Sequence, residues 1–159
     1  YTTLFRSWRA SGALPGESVR FRSDPESFQV QDGPYSGGKQ ILFLATGPGS
    51  WIEVPFEVEE DGRYAIKADV TRSWDYGIYE VLLDGNRIGG PRNFHNGQAV
   101  VTKTEKLGTH ALTKGVHVLR FSCIGRDPNS YMKDSAKPGH YLGIDRVYAR
   151  KLFARPVKQ

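Results

Sequence analysis

Between residues 40 and 152 the chain alternates apolar and polar positions with a period of two, broken at intervals by glycine and proline. In Trp51–Val58 (WIEVPFEV), Ile52, Val54, Phe56 and Val58 share one parity, and Glu53 and Glu57 the other. That is the pattern of a half-buried strand. Pro55 falls on the polar parity and predicts an edge strand or a bulge. After the polar turn Glu59–Gly62, Tyr64, Ile66, Ala68 and Val70 alternate with Arg63, Lys67 and Asp69, predicting a second strand. Tyr76–Leu83 predicts a third. It ends in Asp84-Gly85, a pair suited to the positive-φ turn of a hairpin, with Asn86–Gly90 returning. Gln40–Thr46 is a short apolar run closed by Gly47-Pro48-Gly49. Val100–Leu107 reads as a polar edge strand, Val116–Ile124 as a strand with Leu119, Phe121 and Cys123 on one face, and Tyr141–Leu152 as the last strand. Ser18–Arg22 has strand character, Asp24–Ser36 is loop-like with weak extended character, and 125–140 reads as a long polar loop. No segment carries a convincing helical period over ten or more residues. Some eight strands joined by short turns predict an all-β fold, an antiparallel two-sheet β-sandwich. The expected core contains Ile52, Val54, Phe56, Tyr64, Ile66, Val70, Leu83, Leu119, Phe121 and Ile144.

Length and composition agree. The 159 residues make one domain, large enough to bury roughly 68–70% of its extended surface without disulfides or metals. A single cysteine, Cys123, excludes an internal disulfide, a zinc ribbon and a CxxC redox centre. No apolar run reaches membrane-spanning length. The first residues, Tyr1-Thr2-Thr3-Leu4, have neither the charged nor the apolar region of a signal peptide, so the expectation is a secreted chain whose leader has already been removed.

The formal net charge is +5, from 22 Lys and Arg against 17 Asp and Glu. Its distribution is more informative than its size. Arg6, Arg9, Arg20 and Arg22 lie at one end, and Arg146, Arg150, Lys151, Arg155 and Lys158 at the other, while residues 23–145 hold more acids than bases. Nucleic-acid binders usually carry a basic stripe across the body of the domain; this distribution argues against that partner.

The motifs of catalysis are missing. There is no HExxH, GxSxG, P-loop or GxGxxG. The acids around Glu57–Asp61 crowd one turn and alternate in direction, unlike the facing pair of a glycosidase. Cys123 shares the parity of core residues, and His95, His110, His117 and His140 lack metal-ligand spacing. The chain therefore reads as a non-enzyme that requires no cofactor. The loops are richer. Ser73-Trp74-Asp75-Tyr76 joins two strands, Pro91–Gly97 (PRNFHNG) carries His95, and Asp127–His140 carries Asn129, Tyr131 and Lys133. Sugar recognition needs flat aromatic faces for the C–H side of a ring and Asp, Asn or His for its hydroxyls. Trp74, Asp75, Tyr76, His95, Asn129, Tyr131 and His140 supply that mixture, provided they meet at one end of the sandwich. Trp74 and Tyr76 suit packing of the sandwich end equally well.

The order of residues is also familiar. Gly49-Ser50-Trp51-Ile52-Glu53-Val54, Asp61-Gly62-Arg63-Tyr64, Leu83-Asp84-Gly85, Gly115-Val116-His117-Val118-Leu119-Arg120-Phe121 and Gly143-Ile144-Asp145-Arg146-Val147 together resemble the galactose-binding-domain-like β-sandwich (jelly roll) of non-catalytic carbohydrate-binding modules found with bacterial glycoside hydrolases. The resemblance spans residues 16–152. It implies an extracellular module that recognises a polysaccharide through loops at one end of the sandwich, with neither nucleic acid nor membrane insertion involved. It also implies a structural calcium, for which the matching positions are Asp145 and Glu17. Calcium takes six to eight oxygens, and Glu17 is the lone acid of its segment. Where the family often has an asparagine just before the last Ile-Asp, this chain has Gly143.

The ends raise a second possibility. Residues 1–15 form an extended N-terminal arm before the match, and 153–159 a basic C-terminal tail after it. Leu4, Phe5 and Trp8, with Arg6 and Arg9, could add as a strand to the sheet of another copy. On that reading the protein is a self-assembling filament or surface-layer component.

Overall fold

Period-two alternation leaves each strand with one apolar face, and two sheets stacked face to face remove those faces from water together. The computed structural model describes residues 5–6, 8–9, 22–35, 38–97, 100–132 and 137–153. Among them are thirteen strands: β1 (Phe5–Arg6), β2 (Trp8–Arg9), β3 (Arg22–Asp24), β4 (Phe28–Asp32), β5 (Lys39–Phe43), β6 (Trp51–Val58), β7 (Gly62–Arg72), β8 (Gly77–Leu83), β9 (Asn86–Arg87), β10 (Arg92–Asn93), β11 (Val101–Leu112), β12 (Gly115–Arg126) and β13 (Leu142–Leu152). There is no α-helix among the described residues. One sheet of seven strands runs β1-β6-β12-β8-β10, with β3 beside β6 and β9 beside β8; the other, of six, runs β11-β7-β13-β5-β4, with β2 beside β13. All strand pairs are antiparallel. The fold is the expected antiparallel β-sandwich. Each of the ten expected core residues is buried between the sheets, joined by Ile41, Phe43, Tyr79, Phe94 and Val147.

Local chemistry explains the turns and several departures from expectation. Asp84 and Gly85 both take positive φ, 49° and 84°, which matches the right-handed twist of the hairpin they close. Pro55 does not mark an edge, because β6 lies between β12 and the pair β1 and β3. Val118, opposite Pro55, turns both main-chain groups the other way: its N–H donates to Asp84 Oδ1 at 2.9 Å, and its C=O accepts from the Asp84 N–H at 2.9 Å. The proline therefore occupies a non-hydrogen-bonded pair and withholds no donor from β12. The edge strand expected over Val100–Leu107 runs on to Leu112. A bulge between Lys106 and Thr109, with Gly108 at φ 84°, breaks the alternation that would have revealed its second half. The loop-like stretch from Asp24 to Ser36 owes its weak extended character to β4, a strand paired with β5 whose Phe28 and Val30 remain exposed and so lack the alternation of a core strand.

Of the arm expected to add to a second copy, the four described residues pair within the chain. Phe5 pairs with Val58 and Arg6 with Glu57 in one sheet, and Trp8 pairs with Val147 and Arg9 with Arg146 in the other. These four residues lie along the stretches of β6 and β13 that β3 and β5 leave unpaired. Leu4 and Glu17 lie outside the described residues, as do Lys133 and residues 154–159.

Candidate functional site

The loops after β7, β10 and β12 meet at one end of the sandwich. The Ser73 N–H donates to Phe94 C=O at 3.2 Å, the Asn96 N–H to Ser73 C=O at 2.9 Å, and the Phe94 N–H to Gly77 C=O at 3.1 Å. The Tyr131 N–H reaches Trp74 C=O at 3.2 Å, and the Tyr141 N–H reaches Asp75 C=O at 3.0 Å. Ser130, fully buried, donates its hydroxyl to the Tyr76 and Gly139 carbonyls at 2.7 and 3.0 Å. A Cβ on Gly139 would lie 2.5 Å from the Asp75 carbonyl oxygen, so only glycine allows these two loops to approach so closely. Trp74, Asp75, Tyr76, His95, Asn129, Tyr131 and His140 thus belong to one loop cluster.

Within it their environments differ. Tyr76 is 3% exposed. Its hydroxyl shares a 2.9 Å hydrogen bond with Thr71 Oγ1 and accepts from Gln40 Nε2 at 3.5 Å, and Thr71 Oγ1 also lies 2.8 Å from Gln40 Oε1. Burial pushes the Tyr76 phenol up to about 12, against smaller opposing effects of the Thr71 and Gln40 hydrogen bonds. Of the two uses open to Tyr76, the structure has the packing one, and it offers no platform to a ligand. It fills the space beside Gly143, where a Cβ would sit 2.5 Å from Gln40 Oε1 and Tyr76 Oη and closer still to Thr71 Oγ1. Trp74 and Asp75 are half-buried in the turn before it. Tyr131 is 46% exposed, with the Arg126 guanidinium 5.1 Å from its ring centroid. That arginine is held by the Asp127, Pro128 and Ser130 carbonyls. His140 is half-buried; burial, reinforced by the nearby Arg126 charge, holds its imidazole below the usual range and favours the neutral ring. The His140 C=O accepts the Tyr79 hydroxyl at 2.5 Å.

Asp127 organises the exposed part of the cluster, and sequence reading did not single it out. Its Oδ1 accepts the Asn129 N–H at 2.9 Å and its Oδ2 accepts Asn93 Nδ2 at 3.0 Å, while His95 Nδ1 stands 3.9 Å from Oδ1. Asn93 Oδ1 in turn accepts the His95 N–H at 2.9 Å. The hydrogen bond from Asn129, then that from Asn93, keeps the Asp127 carboxyl below its ordinary range. A signal was present: Asp127-Pro128-Asn129 has the form of an Asx turn. Exposed Asn93 and Asn129 and half-buried His95 therefore surround a fixed carboxylate, with exposed Tyr131 in the same loop cluster.

Asp145 lies elsewhere, as the extra residue of a bulge in β13 between Ile144 and Arg146, and is fully buried. Among the described residues no group of three or more His, Cys, Asp and Glu side chains is placed to hold a metal. Glu17, the other position expected for a calcium ion, lies outside the described residues.

No family model matches the chain, and no curated protein matches it. Solved structures do. A Paenibacillus xanthan lyase superposes with a TM-score of 0.68 at 19% identity over 86% of this chain, which spans 13% of that enzyme. A family 35 carbohydrate binding module from Clostridium thermocellum superposes with a TM-score of 0.56 at 14% identity, covering 92% of this chain and 97% of the module. A CBM35 from Paenibacillus barcinonensis gives 0.53 at 14% identity over 92% and 98%. At these identities the likeness is one of fold: a jelly-roll β-sandwich of the kind these structures contain.

Proposed function

We propose that this chain is a non-catalytic, extracellular carbohydrate-binding module that holds a polysaccharide at the loop end of the sandwich. The observation that carries the reading is the convergence there of exposed Tyr131, half-buried Trp74 and the Asp127-centred ring of Asn93, His95 and Asn129. Tyr131 supplies an aromatic face for the C–H side of a sugar ring, with Arg126 beneath it. Asn93, Asn129 and His95 are held in fixed orientations for hydroxyls, so little side-chain entropy is lost on binding. The family 35 modules that superpose over nearly their whole length support the same function. The described loop end offers hydrogen bonds and a stacking face, but no nucleophile with its base and no facing pair of carboxylic acids. A glycan array covering plant, algal and bacterial polysaccharides, run with and without calcium, tests the reading. Retention on at least one glycan is expected; binding to none in either condition would refute it.

A further inference from the structure

The outward face of the seven-stranded sheet departs from the alternation that forms its core. On β12 and β8 the positions turned away from the core include Val116, Val118 and Leu82 beside Arg120 and Glu80. A solvated sheet face ordinarily carries polar side chains at such positions. Register aligns Arg22, Glu53, Arg120, Leu82 and Arg87 in a row across β3, β6, β12, β8 and β9. Four inter-strand steps make that row about 19 Å long. Within it Glu53, Leu82, Asp84, Gly85, Val118 and Arg120 line an open depression of about 490 Å³, inside the roughly 300–1,000 Å³ of ligand sites.

The chemistry of the lining narrows the ligand. Glu53 Oε1 accepts from Arg120 Nε at 3.0 Å and Nη2 at 2.6 Å, and the Arg120 guanidinium lies 4.1 Å from the Trp51 ring centroid. Asp84 is held by the Val118 N–H at 2.9 Å and by His117 Nδ1 at 2.6 Å. The polar groups are therefore fixed in place and their charges are met within the protein. Such a surface has little pull on an ionic ligand, and its two carboxylates and guanidinium are poorly suited to an apolar one. What remains is a ligand with one C–H-rich face and a rim of hydroxyls. Beside the turn, a Cβ on Gly85 would meet nothing within 4 Å, which leaves that wall low.

We infer that this depression is a second saccharide site, taking a segment of a neutral oligosaccharide with its ring face on Leu82 and Val118 and its hydroxyls on Glu53, Arg120 and Asp84. It is separate from the loop end: Arg120 and Arg126 are six residues apart on β12, about 20 Å. The inference thus goes beyond the loop-end reading and can stand or fall without it.

The test is a titration of the ¹⁵N-labelled full chain with neutral β-1,4-linked glucose, xylose and mannose hexasaccharides, and with an oligogalacturonate as the acidic comparison. At least one neutral oligosaccharide should shift the Leu82, Gly85, Val118 and Arg120 amides saturably and more strongly than the acidic one does. Glu53→Gln should weaken that response roughly tenfold, the value of a hydrogen bond to a charged group, while Trp74 and Tyr131 respond as in the parent. Leu82→Lys, which breaks no ion pair, should weaken it too and keeps the test open if Glu53→Gln fails to fold. No saturable shift at these amides with any neutral oligosaccharide, a larger response to the acidic one, or parental binding by a folded variant would overturn the inference. Shifts confined to Trp74 and Tyr131 would overturn it and leave the loop-end function intact; shifts confined to the sheet face would do the reverse.

Discussion

Replacing Gly143 by alanine tests how tightly the loop end is built onto the sandwich. Gly143 lies in β13 opposite Thr71 and Leu42. Ordinary contact distances for a Cβ are 3.4–4 Å, but here it would come within 2.5 Å of Gln40 Oε1 and Tyr76 Oη, and nearer to Thr71 Oγ1. Those atoms must retreat by about 1 Å, yet Thr71, Gln40 and Tyr76 are 0%, 1% and 3% exposed. Overpacking of this kind costs about 1–3 kcal/mol. Losing one of the 2.8 and 2.9 Å hydrogen bonds made by Thr71 leaves a buried polar group unsatisfied, at about 1–3 kcal/mol more. The expected destabilisation is therefore about 2–6 kcal/mol, read from urea unfolding as a lowered midpoint at unchanged m. Thr71→Ala removes the nearest atom, so the double variant should cost about 1–3 kcal/mol less than the sum of the single variants. A Gly143→Ala cost below about 0.5 kcal/mol, or strict additivity in the cycle, would refute the packed network.

Further outcomes follow from the same structure. Phe121→Ala, at a fully buried ring, should lose about 3–5 kcal/mol in the same unfolding assay. Alkali should destabilise the fold. The Tyr76 phenol is raised to about 12 by burial, so its contribution is complete below the ordinary phenol value of about 10 and is lost as pH rises towards 12. Two units correspond to about 2.7 kcal/mol, and absorbance titration of the parent against Tyr76→Phe isolates the group. Asp127→Ala should free Asn93 and Asn129, speed amide exchange over residues 127–131 and weaken glycan binding roughly tenfold, with little change in unfolding midpoint. Because the Asp127 carboxyl is held below its ordinary range, its ordering of the loop is present above that range and lost as pH falls through the lowered value; loop amide exchange against pH reads this directly.

Strands with one face in the core were legible because burial imposes the period of two: β6 was read to its ends, and β8, β12 and β13 to within two residues at each end. Legibility failed where another force sets the residues. β4 is an edge strand with exposed Phe28 and Val30, so alternation carries no signal there, and the bulge at Gly108 hid the second half of β11. Turn chemistry was readable at Asp84-Gly85 because both residues need positive φ. At the candidate site, residue types marked the right loops, since Trp74, His95, Asn129 and Tyr131 do converge. They could not show that Tyr76 points into a buried network with Gln40 and Thr71, because those partners lie 36 and 5 residues away and meet only through sheet pairing. Asp127 was overlooked for a similar reason: its role depends on Asn93, 34 residues distant. The depression around Leu82 and Val118 had a faint signal in apolar residues at polar parity. Its ion pairs become visible only once β6, β12 and β8 are set side by side.

The central claim is that the loop end binds a glycan, and affinity electrophoresis of the parent beside a folded Trp74→Ala/Tyr131→Ala variant tests it most directly. In native gels cast with the polysaccharides that retain the protein on an array, the parent should be slowed relative to a glycan-free gel. The variant, lacking both aromatic faces, should run close to its free mobility, a loss of roughly tenfold or more in affinity. Unretarded migration of the parent in every gel, or equal retardation of parent and variant, would contradict the account.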